Sequence, residues 1–189
     1  EHSFQVCAAS PPTEKMRLAG LLHDVGKPDC KRETGVQYEH DKYGERISKR
    51  VLSELRFPAR MITEVSQLVS GHMYDIQHQA KTDTLRVRFA TWGRERTLEQ
   101  ILLREADIRG CGYDTDYIAE DWRALYETML NDSTPFSERE LAISGEALMA
   151  ASGLPEGKEL GDLKKQLFLH CVKHPKDNTL LRLTQLAKK

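Results

Sequence analysis

The sequence is poor in aromatic residues and cysteine, and it lacks long apolar runs. Aromatic residues make up 7% of the 189 residues, and the four cysteines form no Cys-x-x-Cys pair. Cysteines spaced in this way indicate free thiols in a reducing compartment and exclude a disulfide framework or a cage of paired zinc ligands. No apolar stretch approaches the ~20 residues that a membrane-spanning helix needs, and no signal peptide is recognisable. We therefore expect a cytoplasmic protein with no membrane partner.

The alternation of apolar and polar residues that marks a half-buried strand is absent as well. Apolar residues recur instead at helical spacing, as in the series Ile47, Val51 and Leu55. A hydrophobic content of 39% with 30% charged residues is typical of a globular domain, and the length allows one domain with an appendage. The predicted fold class is all-α.

Charge is nearly balanced, with a formal net charge of −1, so no overall field attracts nucleic acid. Its distribution is uneven, because residues 158–189 carry eight lysine and arginine side chains against three carboxylates. A basic tail of this kind is more often a solvated helix face than a nucleic-acid site.

The stretch Leu18–Pro28 (LAGLLHDVGKP) joins an apolar helix to a polar end. Its first half predicts a buried helix, which is followed at once by His23 and Asp24 and then by Lys27. Burying an imidazole beside a carboxylate costs free energy unless the two share a partner, and a metal ion satisfies both. The alternative is a surface helix end with an ordinary polar cap, which the apolar preceding residues disfavour.

The residues after this pair predict the end of the helix. We expect Gly26 to leave the helix in a conformation closed to β-branched residues, and Pro28 to prevent the helix from resuming. Residues 29–40 are polar and contain glycine, so they are predicted to form a loop.

His-Asp-x-Gly-Lys after an apolar helix resembles the core motif of the HD superfamily of metal-dependent phosphohydrolases. The family pattern adds a histidine upstream and an aspartate on a later helix, and the resemblance assigns these positions to His2 and Asp107. It implies an HD-domain helical bundle with a metal site formed by four residues: His2, His23, Asp24 and Asp107.

This mixture of nitrogen and oxygen ligands suits a catalytic divalent ion, and Mg, Mn, Fe, Co, Ni and Zn all remain open. His40 and His72 match the extra histidines of members that bind a second metal bridged by Asp24, so one or two metals remain open. The resemblance implies hydrolysis of nucleotide or RNA-end phosphoesters. In that reaction Asp24 orients the attacking water, and Lys27 offsets charge on a phosphate oxygen.

The C-terminal part resembles a narrower family. Beyond a polar linker predicted at residues 131–135, residues 143–149 (ISGEALM) and 154–161 (LPEGKELG) resemble the C-terminal half of bacterial CCA-adding tRNA nucleotidyltransferases and poly(A) polymerases. The chain departs from the family pattern at Ala147, where the family has aspartate, and at Glu156, which separates the expected Pro-Gly pair. The nucleotidyltransferase head is not recognisable, and residues 114–116 (DTD) are interpreted as a helix start.

We therefore predict an HD metal-binding domain at 1–131 and a small helical C-terminal appendage at 136–189. The favoured function is that of a phosphohydrolase domain forming a C-terminal fragment of a tRNA nucleotidyltransferase-like protein, consistent with a first residue other than methionine. The alternatives are a non-catalytic tRNA-binding body of that protein and a free-standing HD nucleotidase. If the tail contacts tRNA, the predicted phosphate contacts are Lys164, Lys165 and Lys173.

Overall fold

The structure is a computed structural model that describes residues 1–114 and 117–188. These residues form helices and no strand, which confirms the predicted all-α fold. The α-helices are α1 (His2–Ala9), α2 (Glu14–Leu22), α3 (Lys27–Thr34), α4 (His40–Glu54), α5 (Ala59–Gly71), α6 (Thr82–Trp92), α7 (Arg94–Gly110), α8 (Tyr117–Asn131), α9 (Gly145–Ser152), α10 (Lys158–Lys173) and α11 (Leu180–Ala187). The helix start predicted at 114–116 lies partly outside the described residues. No described helix is long and apolar enough to cross a membrane.

The chain divides into two compact units, each discontinuous in sequence. Unit 1 comprises residues 1–79 and 98–123, and unit 2 comprises residues 80–97 and 124–189. The domain boundary predicted between residues 131 and 136 comes from the family resemblance and not from the packing that defines these two units. It stays a prediction.

The core of unit 1 is formed by apolar residues of α1, α2, α4, α5 and α7. Its fully buried members are Val6, Met16, Ala19, Leu52, Val65, Leu68, Val69, Leu103 and Ala106. Thr13 is the N-cap of α2, and its hydroxyl accepts a hydrogen bond from the Met16 amide at 3.3 Å. Gly20 lets α1 approach α2, since a Cβ at this position would lie 2.6 Å from the Ser10 hydroxyl.

Helix α3 occupies the first half of the segment predicted as a loop, residues 29–34 of 29–40, and the loop prediction was wrong there. Pro28 lies in the first turn of α3, where its missing N–H costs nothing. Gly26 has an ordinary right-handed conformation, with φ −79° and ψ −15°. Glycine is needed there for space, because a Cβ would clash with the carbonyl oxygen of His40 and the amide of Gly44.

Unit 2 contains a buried arginine that binds the segment predicted as a polar linker. Arg86 is 7% exposed and donates to Asp132 Oδ2 at 2.8 Å, to the Val172 carbonyl at 2.7 Å and to the Thr134 hydroxyl. Thr134 and Pro135 are themselves buried. Residues 131–135 are therefore part of a packed structure, because the charge of Arg86 needs these partners in the interior.

Candidate metal centre

Six side chains that the sequence singles out as metal ligands meet in unit 1. Each lies at or near a helix end: His2 begins α1, His23 and Asp24 follow α2, His40 begins α4, His72 follows α5, and Asp107 lies near the end of α7. Helix ends leave backbone carbonyls and amides without helical partners, so polar groups can be satisfied there.

The first cluster contains His2, His23 and Asp107, whose ligand atoms all lie within 4.8 Å of one another. Asp107 Oδ1 lies 2.9 Å from His2 Nε2 and 3.4 Å from His23 Nε2. Two imidazole nitrogens and a carboxylate oxygen thus converge on one point, as the ligands of a mixed N/O metal site do.

The second cluster contains Asp24, His40 and His72, again within 4.8 Å of one another. Asp24 Oδ1 lies 3.0 Å from His40 Nε2 and 3.7 Å from His72 Nε2. The other oxygen, Oδ2, lies 3.3 Å from His23 Nε2. The Asp24 carboxylate therefore lies between the two clusters, with one oxygen directed to each.

Backbone carbonyls fix the orientation of the three buried histidines. His23 Nδ1 donates to the Gly20 carbonyl at 2.8 Å, His40 Nδ1 to that of Gln37 at 2.7 Å, and His72 Nδ1 to that of Val69 at 2.6 Å. In each case the acceptor lies three residues earlier in the chain. A proton on Nδ1 leaves the Nε2 lone pair directed into the cluster, which is how metal-binding histidines are held.

The inward-facing nitrogens of the three buried histidines suit a metal ion. His23 is 1% exposed, and its Nε2 has no hydrogen-bond partner among the residues that the structure describes. His40 Nε2 and His72 Nε2 lie 3.0 Å apart, although both rings already donate through Nδ1. Two facing lone pairs repel unless a cation or a proton lies between them. The residues therefore fit a divalent metal in both clusters.

The electrostatics of the cluster also favour a cation. Burial alone would lower the pKa of His23, but its contacts with the Asp107 and Asp24 carboxylates raise it to about 9. Burial would raise the pKa of Asp24, but its histidine neighbours hold that pKa well below its usual range. Without metal, a proton on His23 thus balances the carboxylates, and a metal ion replaces that proton.

Lys27 lies at the exposed side of the site. Its Nζ is 2.5 Å from Asp24 Oδ2, and its side chain is 38% exposed. A lysine ammonium has no lone pair and is not a ligand, but it adds positive charge at the exposed side of the clusters. The exposed side is completed by His2 and Asp107, which are 33% and 32% exposed.

Two of the three lysines predicted to contact RNA line one groove, and the RNA contacts of all three stay a prediction. Lys164 and Lys165 line a groove of about 660 Å³ in unit 2, and Lys173 is not among its lining residues. Arg139, which the sequence did not single out, lines the same groove. It lies 25 residues before Lys164, so no local pattern could have paired it with the lysines.

Comparisons with known proteins identify a family and two relatives. The HD domain family model matches residues 5–109. The CC-adding tRNA nucleotidyltransferase of Thermus thermophilus is 36% identical over 160 residues, which cover 80% of this chain and 35% of that protein. The A-adding tRNA nucleotidyltransferase of Deinococcus radiodurans is 27% identical over 162 residues, covering 80% and 36%. No solved structure matches the chain.

The chain spans about a third of the length of the curated relatives that it matches. The HD domain model covers more than half of the chain and includes five of the six clustered side chains, with His2 before its first matched residue. The protein belongs to the HD domain family.

Proposed function

We propose that unit 1 is a metal-dependent phosphoesterase that hydrolyses nucleotide or RNA-end phosphoesters. The observation that carries this proposal is the shared Asp24 carboxylate between two clusters of metal-ligand type, with the unpartnered Nε2 of His23 beside it. When bound, a divalent ion lowers the pKa of a coordinated water and withdraws charge from a phosphoryl oxygen. The ligands would be His2, His23, Asp24 and Asp107.

The protein residues have separate roles in this proposal. Asp24 orients the attacking water, since one of its oxygens is directed to each of the two clusters. Lys27 binds a non-bridging phosphate oxygen through Nζ and offsets the charge that develops there. Its exposure beside a buried cluster supports this role.

A second metal at Asp24, His40 and His72 is part of the proposal. The 3.0 Å separation of the two Nε2 atoms supports it, since two neutral rings that already donate through Nδ1 cannot donate to each other through Nε2. Two bound ions would stabilise both the attacking and the leaving oxygen of the phosphoester.

The relatives support a substrate connected with RNA ends. Both are named as tRNA nucleotidyltransferases, and the aligned part is about a third of each. We propose that this chain corresponds to the C-terminal part of such a protein, with domains 1–131 and 136–189, and that it works in the cytoplasm.

Hydrolysis of a 2′,3′-cyclic nucleotide and of an aryl phosphate, each assayed with Mg²⁺, Mn²⁺, Co²⁺, Ni²⁺ and Zn²⁺, tests the activity. We expect metal-dependent turnover by the wild type and none by Asp24→Ala. Absence of turnover with every metal would contradict the phosphoesterase proposal and favour a tRNA-binding body. Equal turnover by the two proteins would contradict the assignment to this site.

A second candidate function is RNA binding by unit 2. The observation that favours it is the groove in which Lys164, Lys165 and Arg139 lie with the apolar side chains of Phe136 and Phe168. None of the three cations has an ion-pair partner within the described part of the chain. Unpaired cations above apolar surface suit the phosphates and bases of RNA. The salt dependence of tRNA binding tests this function.

A further inference from the structure

His2 is held differently from the other histidines of the centre. His23, His40 and His72 each donate through Nδ1 to a backbone carbonyl, and their side chains are at most 5% exposed. The contact of His2 Nδ1 is instead the sulfur of Cys111, at 3.9 Å, and the His2 side chain is 33% exposed. An exposed ring at a helix start has rotamer freedom that a ligand must lose.

Cys111 is brought to His2 by the close packing of α1 against the end of α7. Cys111 follows α7 directly, and its amide donates to the Asp107 carbonyl at 3.1 Å, so it lies one turn beyond a ligand. At Gly110, a Cβ would lie 2.5 Å from Val6 Cγ2 and 3.1 Å from the Val6 amide nitrogen. This approach sets the start of α1 over both Asp107 and Cys111.

We propose that Cys111 is a positioning residue for His2: its sulfur accepts the hydrogen bond from Nδ1 and so directs Nε2 towards Asp107 and the first cluster. The inference rests on the proposed metal site, where the buried and unpartnered Nε2 of His23 independently indicates a bound ion. Outer hydrogen-bond partners of metal-binding histidines fix both tautomer and ring orientation. A thiol is a weak acceptor, so its contribution is to restrict the ring more than to bind it.

Metal affinity tests the proposal without reference to activity. Equilibrium dialysis of the full chain against Mn²⁺ or Co²⁺ gives the dissociation constant of the first site. We expect Cys111→Ala to weaken binding there by about tenfold, the lower end of the ~10–100-fold cost of removing an outer partner of a metal ligand. Cys111→Ser retains a polar acceptor, so its metal affinity should fall by less than that of Cys111→Ala. Cys7→Ala, which removes another free thiol of unit 1, is the matched control and should bind as the wild type does.

A double-mutant cycle with His2→Ala, measured at metal concentrations high enough to fill the weakened first site, separates positioning from general destabilisation. If Cys111 acts through His2, Cys111→Ala should cause no further loss of metal affinity in a protein that already carries His2→Ala. Wild-type affinity in folded Cys111→Ala would overturn the proposal, and so would a loss in Cys111→Ala that is equal in the presence and absence of His2. If the wild type binds no metal at all, the proposed site itself fails, which is a different result from an unchanged Cys111 variant.

Discussion

At the scale of single residues, Asp24 receives the densest set of contacts in the centre. One oxygen faces His40 and His72, and the other faces His23 and Lys27. The side chain is 12% exposed, so these neighbours rather than water determine its charge. Lys27 is the member of this set that cannot bind a metal, and it therefore separates ligand roles from charge stabilisation.

Truncating Lys27 tests this separation. We expect Lys27→Ala to bind metal as the wild type does, because the ammonium is not a ligand. Phosphoester hydrolysis should fall by about 10²–10³-fold, the cost of losing one charge-stabilising donor from a preorganised site. Dialysis and steady-state kinetics measure the two quantities. Lys31→Ala is the control, since Lys31 is exposed on the same helix; loss of metal by Lys27→Ala would contradict a role in charge stabilisation alone.

Metal stoichiometry tests the two clusters one ligand at a time. With both clusters filled, we expect about two ions per chain in the wild type. His72→Ala should retain the ion of the first cluster, and His2→Ala should retain the ion of the second cluster. Asp24→Ala should lose both, because its oxygens serve both clusters. Binding should weaken as pH falls, since protons compete for the imidazoles. Elemental analysis after dialysis gives the counts, and equal metal in wild type and Asp24→Ala would contradict the centre.

At the scale of helices, an ion triad ties together the three elements that end at the centre. Lys15 Nζ lies 2.5 Å from Glu99 Oε1 and 3.2 Å from Glu64 Oε2. Lys15, Glu64 and Glu99 stand eight residues before His23, His72 and Asp107 respectively. Each helix therefore carries one triad member about two turns before its ligand, and the ion pairs oppose sliding of α2, α5 and α7 along their axes.

Glu64 makes the triad sensitive to acid. A hydrogen bond from Arg60 lowers its pKa in the folded protein, burial opposes this, and Lys15 lowers it further. The pKa of Glu64 is thus lower in the folded protein than in the unfolded chain, where it is about 4.5. The stabilisation from the Glu64 carboxylate is therefore fully present above pH 4.5, and it is lost as the pH falls through the pKa of the folded protein. We expect Glu64→Gln to show a smaller loss of unfolding free energy on acidification below that pH.

Urea unfolding between pH 3 and pH 6 measures this difference. The control is Glu54→Gln, because Glu54 is 70% exposed and its nearest cation, Arg50, is 4.0 Å away. Screening by water leaves such a pair with little effect on stability. Identical pH profiles for the wild type and Glu64→Gln would show that the triad does not contribute.

The helical spacing of apolar residues predicted helices correctly where an apolar stripe is present, and it failed where tertiary contacts determine the structure. The series Ile47, Val51 and Leu55 is visible in sequence, and α4 spans most of it. Helix α3 (KPDCKRET) has only Cys30 buried, so it shows no apolar stripe to recognise. The reason for Gly26 lies in the carbonyl of His40, fourteen residues away, and no local rule contains that contact.

The same limit applies to the candidate site. The His-Asp pair signals a metal by itself, since a buried imidazole beside a carboxylate needs a partner. The meeting of His40 and His72 followed only from the family pattern, because 32 residues separate them. Cys111 belongs to no motif, and its place beside His2 depends on the packing of Val6 against Gly110.

At the scale of the whole molecule, the buried Arg86 bears on where the chain can be divided. Its partners Asp132, Thr134 and Val172 all lie beyond residue 131. A fragment ending there would leave the guanidinium without these acceptors, and a buried charge without partners is strongly destabilising. The predicted division at 131/136 thus describes family segments, and it does not mark a place where the chain can be cut without loss.

The charge of the molecule is also localised, and this predicts how it should bind RNA. With a net charge of −1, long-range attraction is weak, so the proposed RNA binding would depend on the groove with Lys164 and Lys165. Each phosphate contact releases counterions, and the logarithm of tRNA affinity falls with the logarithm of salt by about 0.7–0.9 per contact. Lys164→Gln with Lys165→Gln should flatten this slope by between one and two.

Lys173→Gln, outside the groove, is the control. Filter binding at several KCl concentrations measures the slopes. An unchanged slope in the double variant would identify these lysines as an ordinary solvated helix face.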